Sequence, residues 1–135
     1  QLLPPGSGQN KDQPRIGIAV LADYHVLGKR IVEAILRSAG YQLLDYGAGI
    51  SARDLADKAI GDGVEVLLVS ALMLPAALQV KDLCGYLAGH DIRVYVGGAP
   101  FLFDASLWRE VGADGMGRDA ADAISLLQQD GGRLA

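Results

Sequence analysis

An aspartate and a histidine stand two residues apart in the stretch ADYHVLGKR, residues 22–30. One nitrogen of an imidazole can bind a metal while a carboxylate holds the other, because that hydrogen bond fixes the tautomer and raises the basicity of the ligating atom. Asp23 could turn back to hold His25 in this way. A plain surface histidine is the competing interpretation of so short a pattern.

A metal bound at His25 would need its other coordination positions filled from elsewhere. No second histidine or cysteine lies nearby in the sequence, and His90 is predicted at the end of a helix on the opposite edge of the fold. The single cysteine, Cys84, excludes an internal disulfide and a cysteine-rich zinc cluster. A metal with one protein ligand must arrive with its other positions already filled. This indicates a metal held in a macrocycle, either a haem or a corrin, rather than a bare ion.

The composition limits the classes of partner. The chain has 135 residues, half of them hydrophobic (50%), which is enough for one domain with a sizeable core. Its net charge of -4 comes from interspersed charges and gives no basic patch for nucleic acid. No window approaches the ~18 uninterrupted apolar residues of a membrane span. We therefore expect a domain that binds neither nucleic acid nor membrane. Its lone cysteine is compatible with a reducing compartment, so we expect the domain to be cytoplasmic.

The chain divides into a leading segment and a domain in which predicted strands and helices alternate. Residues 1–14 are rich in Pro, Gly, Ser, Gln and Asn without periodicity, which is typical of a linker or tail and suggests a further domain upstream. From residue 15 onward, short apolar runs alternate with amphipathic ones. Strands are predicted at residues 15–22, 41–45, 64–70, 93–97 and 113–117. Helices are predicted at residues 28–39, 52–61, 75–89, 104–111 and 119–129.

This alternation predicts an α/β fold. Runs such as VEVLLVS are apolar on both faces, as in parallel strands covered by helices. We predict a flavodoxin-like (Rossmann-like), doubly wound, five-stranded parallel sheet of order 2-1-3-4-5. Ligands of such sheets bind beyond the carboxyl ends of the strands, near the switch between the first and third strands. The histidine loop and several glycine-rich segments fall at those ends, where glycines either admit a ligand or simply form turns.

Three sequence elements occur in order at these strand ends: D-x-H-x-x-G at residues 23–28, S-x-L at residues 70–72 and G-G at residues 97–98. A spacing of 41 residues separates the first element from the second. In these motifs the chain resembles the cobalamin-binding domain of methionine synthase and, more closely, the corrinoid proteins of methyltransferase systems. The resemblance implies that residues 15–135 form a cobalamin-binding domain.

The resemblance implies a base-off, His-on mode of binding, in which the nucleotide tail of the cofactor enters a slot beside the sheet. His25 would be the cobalt ligand, and Asp23 would accept a hydrogen bond from its other nitrogen, so that this pair would carry the catalytic role. Ser70 and Leu72 would line the slot, and the Ser70 hydroxyl would contact the benzimidazole. The other implied cofactor contacts lie in the same loops and strand ends: Tyr24, Val26, Leu27, Gly28, Met73, Leu74, Gly97, Gly98, Gly115, Met116 and Gly117.

The implied function is to carry a methyl group on cobalt, as methylcobalamin or a related corrinoid, between methyltransferase partner proteins. The chain would then be the carrier component of such a system rather than a complete enzyme. Two alternatives remain, a module that senses or transports cobalamin without catalysis and the cobalamin-binding subunit of a mutase. A phosphoacceptor receiver would need an acidic pair in the first strand and a lysine after the fourth, and the sequence has neither. A flavodoxin would need a phosphate loop rich in Ser and Thr after the first strand, and DYHVLG has no Ser or Thr.

Three features depart from the pattern of the family. Hydroxyl residues that follow the S-x-L element in many relatives are replaced by Leu74 and Ala76. A proton relay would therefore stop at Asp23 or continue through water. Tyr24 places a phenol near the expected corrin edge. The helical cap that covers the corrin in methyl carriers is also missing from the sequence, and the leading linker is where we expect it to have been attached.

Overall fold

The computed structural model describes residues 14–134, with side chains described as far as residue 129. The predicted linker lies outside this range except for its last residue. The elements in chain order are β1 (Ile16–Leu21), α1 (Leu27–Ser38), β2 (Leu43–Ile50), α2 (Ala52–Gly61), β3 (Val66–Ser70), α3 (Leu74–Leu87), β4 (Arg93–Gly97), α4 (Ala99–Phe103), α5 (Leu107–Glu110), β5 (Gly115–Met116) and α6 (Ala120–Leu134).

The five strands form one parallel sheet in the order β2-β1-β3-β4-β5, which confirms the predicted topology. The direction of chain progression reverses at β1, so the crevice between the carboxyl ends of β1 and β3 is the topological switch. The loop that carries the Asp-His pair follows β1 directly and therefore lies at this switch. The fold thus places the pair where open parallel sheets bind their ligands.

Both faces of the sheet are buried, as the apolar strands predicted. On one face Leu67 belongs to the larger core cluster, together with Leu55 of α2 and Leu83 of α3. On the other face Leu68 belongs to a smaller cluster with Leu36 of α1, which α6 also joins. Alternate residues of β3 thus serve opposite cores. Among the described residues, none of the helices combines the length and the apolar character that a bilayer span requires.

The second strand is longer than predicted. The sequence predicted a strand ending at Asp45 and a glycine-rich loop beyond it, whereas β2 continues to Ile50. Pairing with β1 persists through two irregularities in register, because Gly47 and Gly49 adopt positive φ angles of 81° and 72°. Glycine reaches this region without the steric cost that a Cβ imposes, so the strand can bend and remain paired.

The helical region after β4 also differs from the prediction of one helix at residues 104–111. Two short helices occur instead, α4 and α5, and α4 begins within the segment predicted as a loop. Pro100 fits the first turn of α4, where no N–H is needed. Asp104 then accepts hydrogen bonds from the amide and the hydroxyl of Ser106, which forms the turn between the helices. The last helix runs to Leu134, beyond its predicted end at residue 129.

Candidate functional site

The loop between β1 and α1 is fastened to the irregular end of β2. Its first residue, Ala22, has a φ angle of 58° and donates its N–H to the Ile50 carbonyl at 2.9 Å. The carbonyl of Asp23 accepts the N–H of Gly49 at 2.6 Å. The unpredicted continuation of β2 therefore supplies the support that positions the residues before His25.

The Asp23 carboxylate joins two loops. Its Oδ1 accepts the backbone N–H of His25 at 3.2 Å, and its Oδ2 accepts the backbone N–H of Leu72 at 3.0 Å. The Nδ1 of His25 lies 4.0 Å from Oδ1, which is beyond hydrogen-bond distance. The carboxylate is 12% exposed and the imidazole is 68% exposed. The structure thus brings the predicted pair together, with a fixed carboxylate beside an accessible ring.

The Leu72 amide is a partner of Asp23 that the sequence did not reveal. It links the loop after β1 to the loop after β3, although the two residues stand 49 positions apart. An amide N–H holds its proton over the accessible pH range, so this contact orients the carboxylate without relaying a proton. Within residues 14–134, no group of three or more His, Cys, Asp or Glu side chains is arranged to hold a metal ion.

Exposed apolar side chains surround the Asp-His pair. The ring of Tyr24 lies over Gly49, where any added Cβ would overlap it. We call the exposed residues of the two joined loops the apolar platform: Tyr24, Leu27, Leu72, Met73 and Leu74. Val26 is only partly exposed. Leu102 and Phe103 of α4, which were not predicted as site residues, are also exposed after β4. Several large apolar side chains exposed on joined loops are typical of a surface that a ligand or partner covers.

A cavity of about 340 Å³ lies between the sheet and helices α1 and α6. Five of the predicted contact residues line it: Gly28, Ser70, Gly97, Gly98 and Gly117. A Cβ on Gly97 would lie 3.2 Å from the Gly117 carbonyl oxygen, and a Cβ on Gly98 would overlap the Ala71 carbonyl oxygen. The backbones here approach one another so closely that larger residues would distort the wall.

Other predicted slot residues lie outside the cavity. Leu72 was predicted to line the slot, but it follows the end of β3 and is exposed on the platform with Met73 and Leu74. Gly115 is buried, and the space beside it is filled by the side chains of Tyr95 and Leu126. Met116 packs against the larger core cluster on the opposite face of the sheet. Alternation along β5 therefore directs it away from the cavity.

The helical walls and the floor of the cavity were not predicted from the sequence. The walls include Lys29, Ile31 and Val32 of α1, and Ala120, Ala123 and Leu126 of α6, with Arg118 and Asp119 just before α6. The floor consists of Ile18, Leu68, Val69, Tyr95 and Val96. The available signal was the apolar face of each helix, but the same periodicity describes any helix packed on a sheet.

A buried lysine lies in the wall formed by α1. Lys29 is 6% exposed, and its Nζ lies 2.8 Å from Asp45 Oδ2 and 3.5 Å from Glu33 Oε1. Burial acts to raise the pKa of Asp45, but the hydrogen bonds from Lys29 and the Gly47 amide outweigh it, with the Arg37 charge adding to them, and the pKa stays below its usual value. Asp45 therefore stays ionised beside the ammonium.

Residues 15–125 match the family model of the B12-binding domain. The chain belongs to the B12-binding domain family. It is similar to a corrinoid protein of Desulfitobacterium hafniense, at 34% identity over 90% of this chain and 57% of that protein. It is also similar to dimethylamine corrinoid protein 3 of Methanosarcina mazei, at 32% identity over 95% of this chain and 78% of that protein.

A solved structure resembles this B12-binding domain at comparable identity. The monomethylamine corrinoid protein of Methanosarcina barkeri superposes with a TM-score of 0.74 at 29% identity, over 89% of this chain and 60% of that one. The chain spans a little over half the length (57%) of the corrinoid protein of Desulfitobacterium hafniense. The family predicted from the D-x-H-x-x-G, S-x-L and G-G motifs is confirmed.

Proposed function

We propose that this domain binds a corrinoid base-off and His-on, with His25 as the lower cobalt ligand, and carries a methyl group on the cobalt between methyltransferase partners. The observation that supports it is the accessible imidazole of His25 beside a glycine-walled cavity of about 340 Å³ at the same edge of the sheet. An axial ligand and a recess for the nucleotide tail are the two features that such a cofactor needs from one protein edge.

The histidine loop suits the role of an axial ligand. Nδ1 is the ring nitrogen that faces Asp23, which leaves Nε2 for the metal. Asp23 is itself held by two backbone N–H groups, so it orients the ring from a fixed position. The bound cobalt would supply the methyl-transfer chemistry, and these residues would supply its ligand and the ligand's orientation.

The cavity and the apolar platform suit the rest of the cofactor. The cavity floor is apolar, and burying a flat aromatic base of about 100 Å² would contribute roughly 2.5 kcal/mol at about 25 cal/mol per Å². Ser70 would offer the base a hydroxyl from the cavity wall. The platform would lie under the corrin ring, which explains why five large apolar and aromatic side chains are exposed at this edge.

The partner proteins are proposed from the relatives. The curated relatives are named corrinoid proteins, several of them dimethylamine corrinoid proteins. A carrier that presents its cofactor to separate methyltransferases needs an open binding edge, and the platform of this domain is open. We propose the carrier component of a methyltransferase system, with cobalamin or a related corrinoid as its cofactor.

The decisive experiment is paramagnetic resonance on the domain labelled with ¹⁵N-histidine and loaded with cob(II)alamin. Benzimidazole carries ¹⁴N, so only a histidine ligand gives the two-line ¹⁵N coupling. We expect that coupling in the wild type, its loss in His25→Ala and its retention in His90→Ala, the matched histidine control. Retained ¹⁴N coupling in the labelled wild type would refute the His-on mode, and no bound corrinoid would refute the proposal entirely.

Methyl carriage is tested separately on the loaded domain. Bound cobalamin is reduced and offered a methyl donor together with a purified corrinoid methyltransferase, and methylcobalamin is followed by its visible spectrum. Formation and onward transfer of the methyl group are the expected results. Tight His-on binding without methylation by any such partner would favour the sensor or transport alternative. Radical rearrangement with a barrel subunit would favour the mutase alternative.

A further inference from the structure

The loop that carries the Asp-His pair is held in a strained conformation. Ala22 has a φ angle of 58°, in the left-handed region that a residue with a Cβ reaches only at a cost in free energy. Two backbone hydrogen bonds, of 2.9 Å and 2.6 Å, join residues 22 and 23 to the end of β2 and keep the loop in this form. The side chain of the next residue, Tyr24, adds a contact to the same strand end.

The ring of Tyr24 lies directly against the backbone of Gly49. A Cβ added at Gly49 would overlap the ring carbons Cε1 and Cζ and would lie 2.7 Å from the hydroxyl oxygen. Tyr24 is 78% exposed, so burial in a core does not explain where its ring lies. Because the φ angle of Gly49 is 72°, both the backbone conformation and the ring favour glycine at this position. The two residues therefore fit one another.

His25 has little restraint of its own. Its backbone N–H donates to Asp23 at 3.2 Å, but its Nδ1 lies 4.0 Å from Asp23 Oδ1, beyond hydrogen-bond distance, and its ring is 68% exposed. The position of the imidazole therefore depends on the backbone that leads to it. Tyr24 is the residue directly before His25, so a ring held on Gly49 limits the movement of that backbone.

We propose that Tyr24 is a positioning residue for the cobalt ligand: its ring, packed on Gly49, fixes the peptide before His25 and so strengthens the bond from His25 to cobalt. This assignment rests on the proposed function. Fixing the backbone of a residue costs conformational entropy, and a contact that orders the loop beforehand removes this cost from ligand binding. Ring carbons are the atoms nearest to Gly49, so the ring rather than the hydroxyl makes the contact.

The test is the potential of the one-electron reduction of bound cob(II)alamin to cob(I)alamin, titrated with a chemical reductant and redox mediators. Four-coordinate reduced cobalt releases its lower ligand, so a tenfold weaker bond to His25 raises this potential by about 59 mV. Contacts of Tyr24 with the corrin itself act on both oxidation states alike and cancel. We expect Tyr24→Ala to weaken the bond about tenfold, the factor that ordering one residue is worth. Tyr24→Phe keeps the ring and should change it less than about twofold.

Gly49→Ala and Gly47→Ala form a matched pair of variants. Both glycines lie in β2 with positive φ angles, so alanine strains the backbone at either position. A Cβ at Gly49 meets the Tyr24 ring, whereas a Cβ at Gly47 has no atom within 4 Å. We expect Gly49→Ala to raise the potential about as much as Tyr24→Ala, and Gly47→Ala to leave it near the wild-type value. The double variant with alanine at both Tyr24 and Gly49 should match Tyr24→Ala alone, because the ring that the new Cβ displaces is gone.

Two results would overturn the assignment. One is a wild-type potential in Tyr24→Ala and Gly49→Ala beside a raised potential in His25→Ala, because His25 would then bind cobalt without help from Tyr24. The other is a double variant whose shift equals the sum of the single shifts, because the two residues would then act independently. An unchanged potential in His25→Ala would instead refute the His-on mode and with it the proposed function. Circular dichroism confirms that each variant is folded, and a merely structural contact would lower the urea midpoint without moving the potential.

Discussion

Replacement of Gly98 by alanine tests the cavity wall directly. Gly98 has φ 122° and ψ 166°, a conformation essentially restricted to glycine, and forcing another residue into it costs about 1–3 kcal/mol. The new Cβ would also overlap the Ala71 carbonyl oxygen. Because the Ala71 N–H is bonded to the Gly97 carbonyl at 3.0 Å, relief requires the ends of β3 and β4 to separate, at about 1–3 kcal/mol more.

We therefore expect Gly98→Ala to lower the free energy of unfolding by about 4 kcal/mol, a large share of the ~5–15 kcal/mol of a typical domain. Urea unfolding of the apo-domain, followed by circular dichroism, measures the change. Gly85→Ala is the matched control, because Gly85 lies within α3 with no atom within 4 Å of its added Cβ. That substitution should stabilise the domain by about 0.5–1 kcal/mol. Equal midpoints for the two variants would refute the reasoning.

Two further predictions concern Asp23 and Cys84. Asp23→Ala removes the acceptor of two backbone N–H groups, so it should destabilise the apo-domain by about 2 kcal/mol in urea unfolding, with Asp23→Asn intermediate. An unchanged midpoint for the alanine variant would contradict the bridging role of the carboxylate. Burial raises the pKa of the Cys84 thiol to about 11, with the charge of Asp114 adding to it. Alkylation by iodoacetamide at pH 8 should then be about 100-fold slower in the folded domain than in urea, because the thiolate fraction falls by that factor. Equal rates in the two states would show that the thiol is not shielded.

The order of the strands was predictable because burial on both faces leaves a clear mark on the sequence. Runs such as residues 64–70 are apolar throughout, and the helices between them fix a parallel arrangement. The continuation of β2 was not predictable in this way. Gly47 and Gly49 resemble loop residues in a sequence, and only their pairing with β1 shows that they remain in the sheet.

The candidate site likewise has residues that could be predicted from the sequence and contacts that could not. The motif residues at the strand ends, such as Ser70 and Gly98, could be selected because the chain shares these motifs with corrinoid proteins and the topology brings the strand ends together. The contact of Asp23 with the Leu72 amide joins residues far apart in sequence through a backbone atom, which no residue type reveals. The burial of Lys29 was not predictable because a lysine at the start of a helix is ordinarily solvated, and here it is paired with Asp45 of β2.

The division of the core between the two faces of the sheet has a consequence for how the domain evolves. Most of the cavity-lining side chains come from the face covered by α1 and α6, whereas the larger cluster packs under α2 and α3. Substitutions at the buried positions of α2 and α3 are constrained by packing alone, while those in α1 and α6 must also preserve a recess. A lineage can therefore reshape this recess by changing two helices, with the larger core left intact.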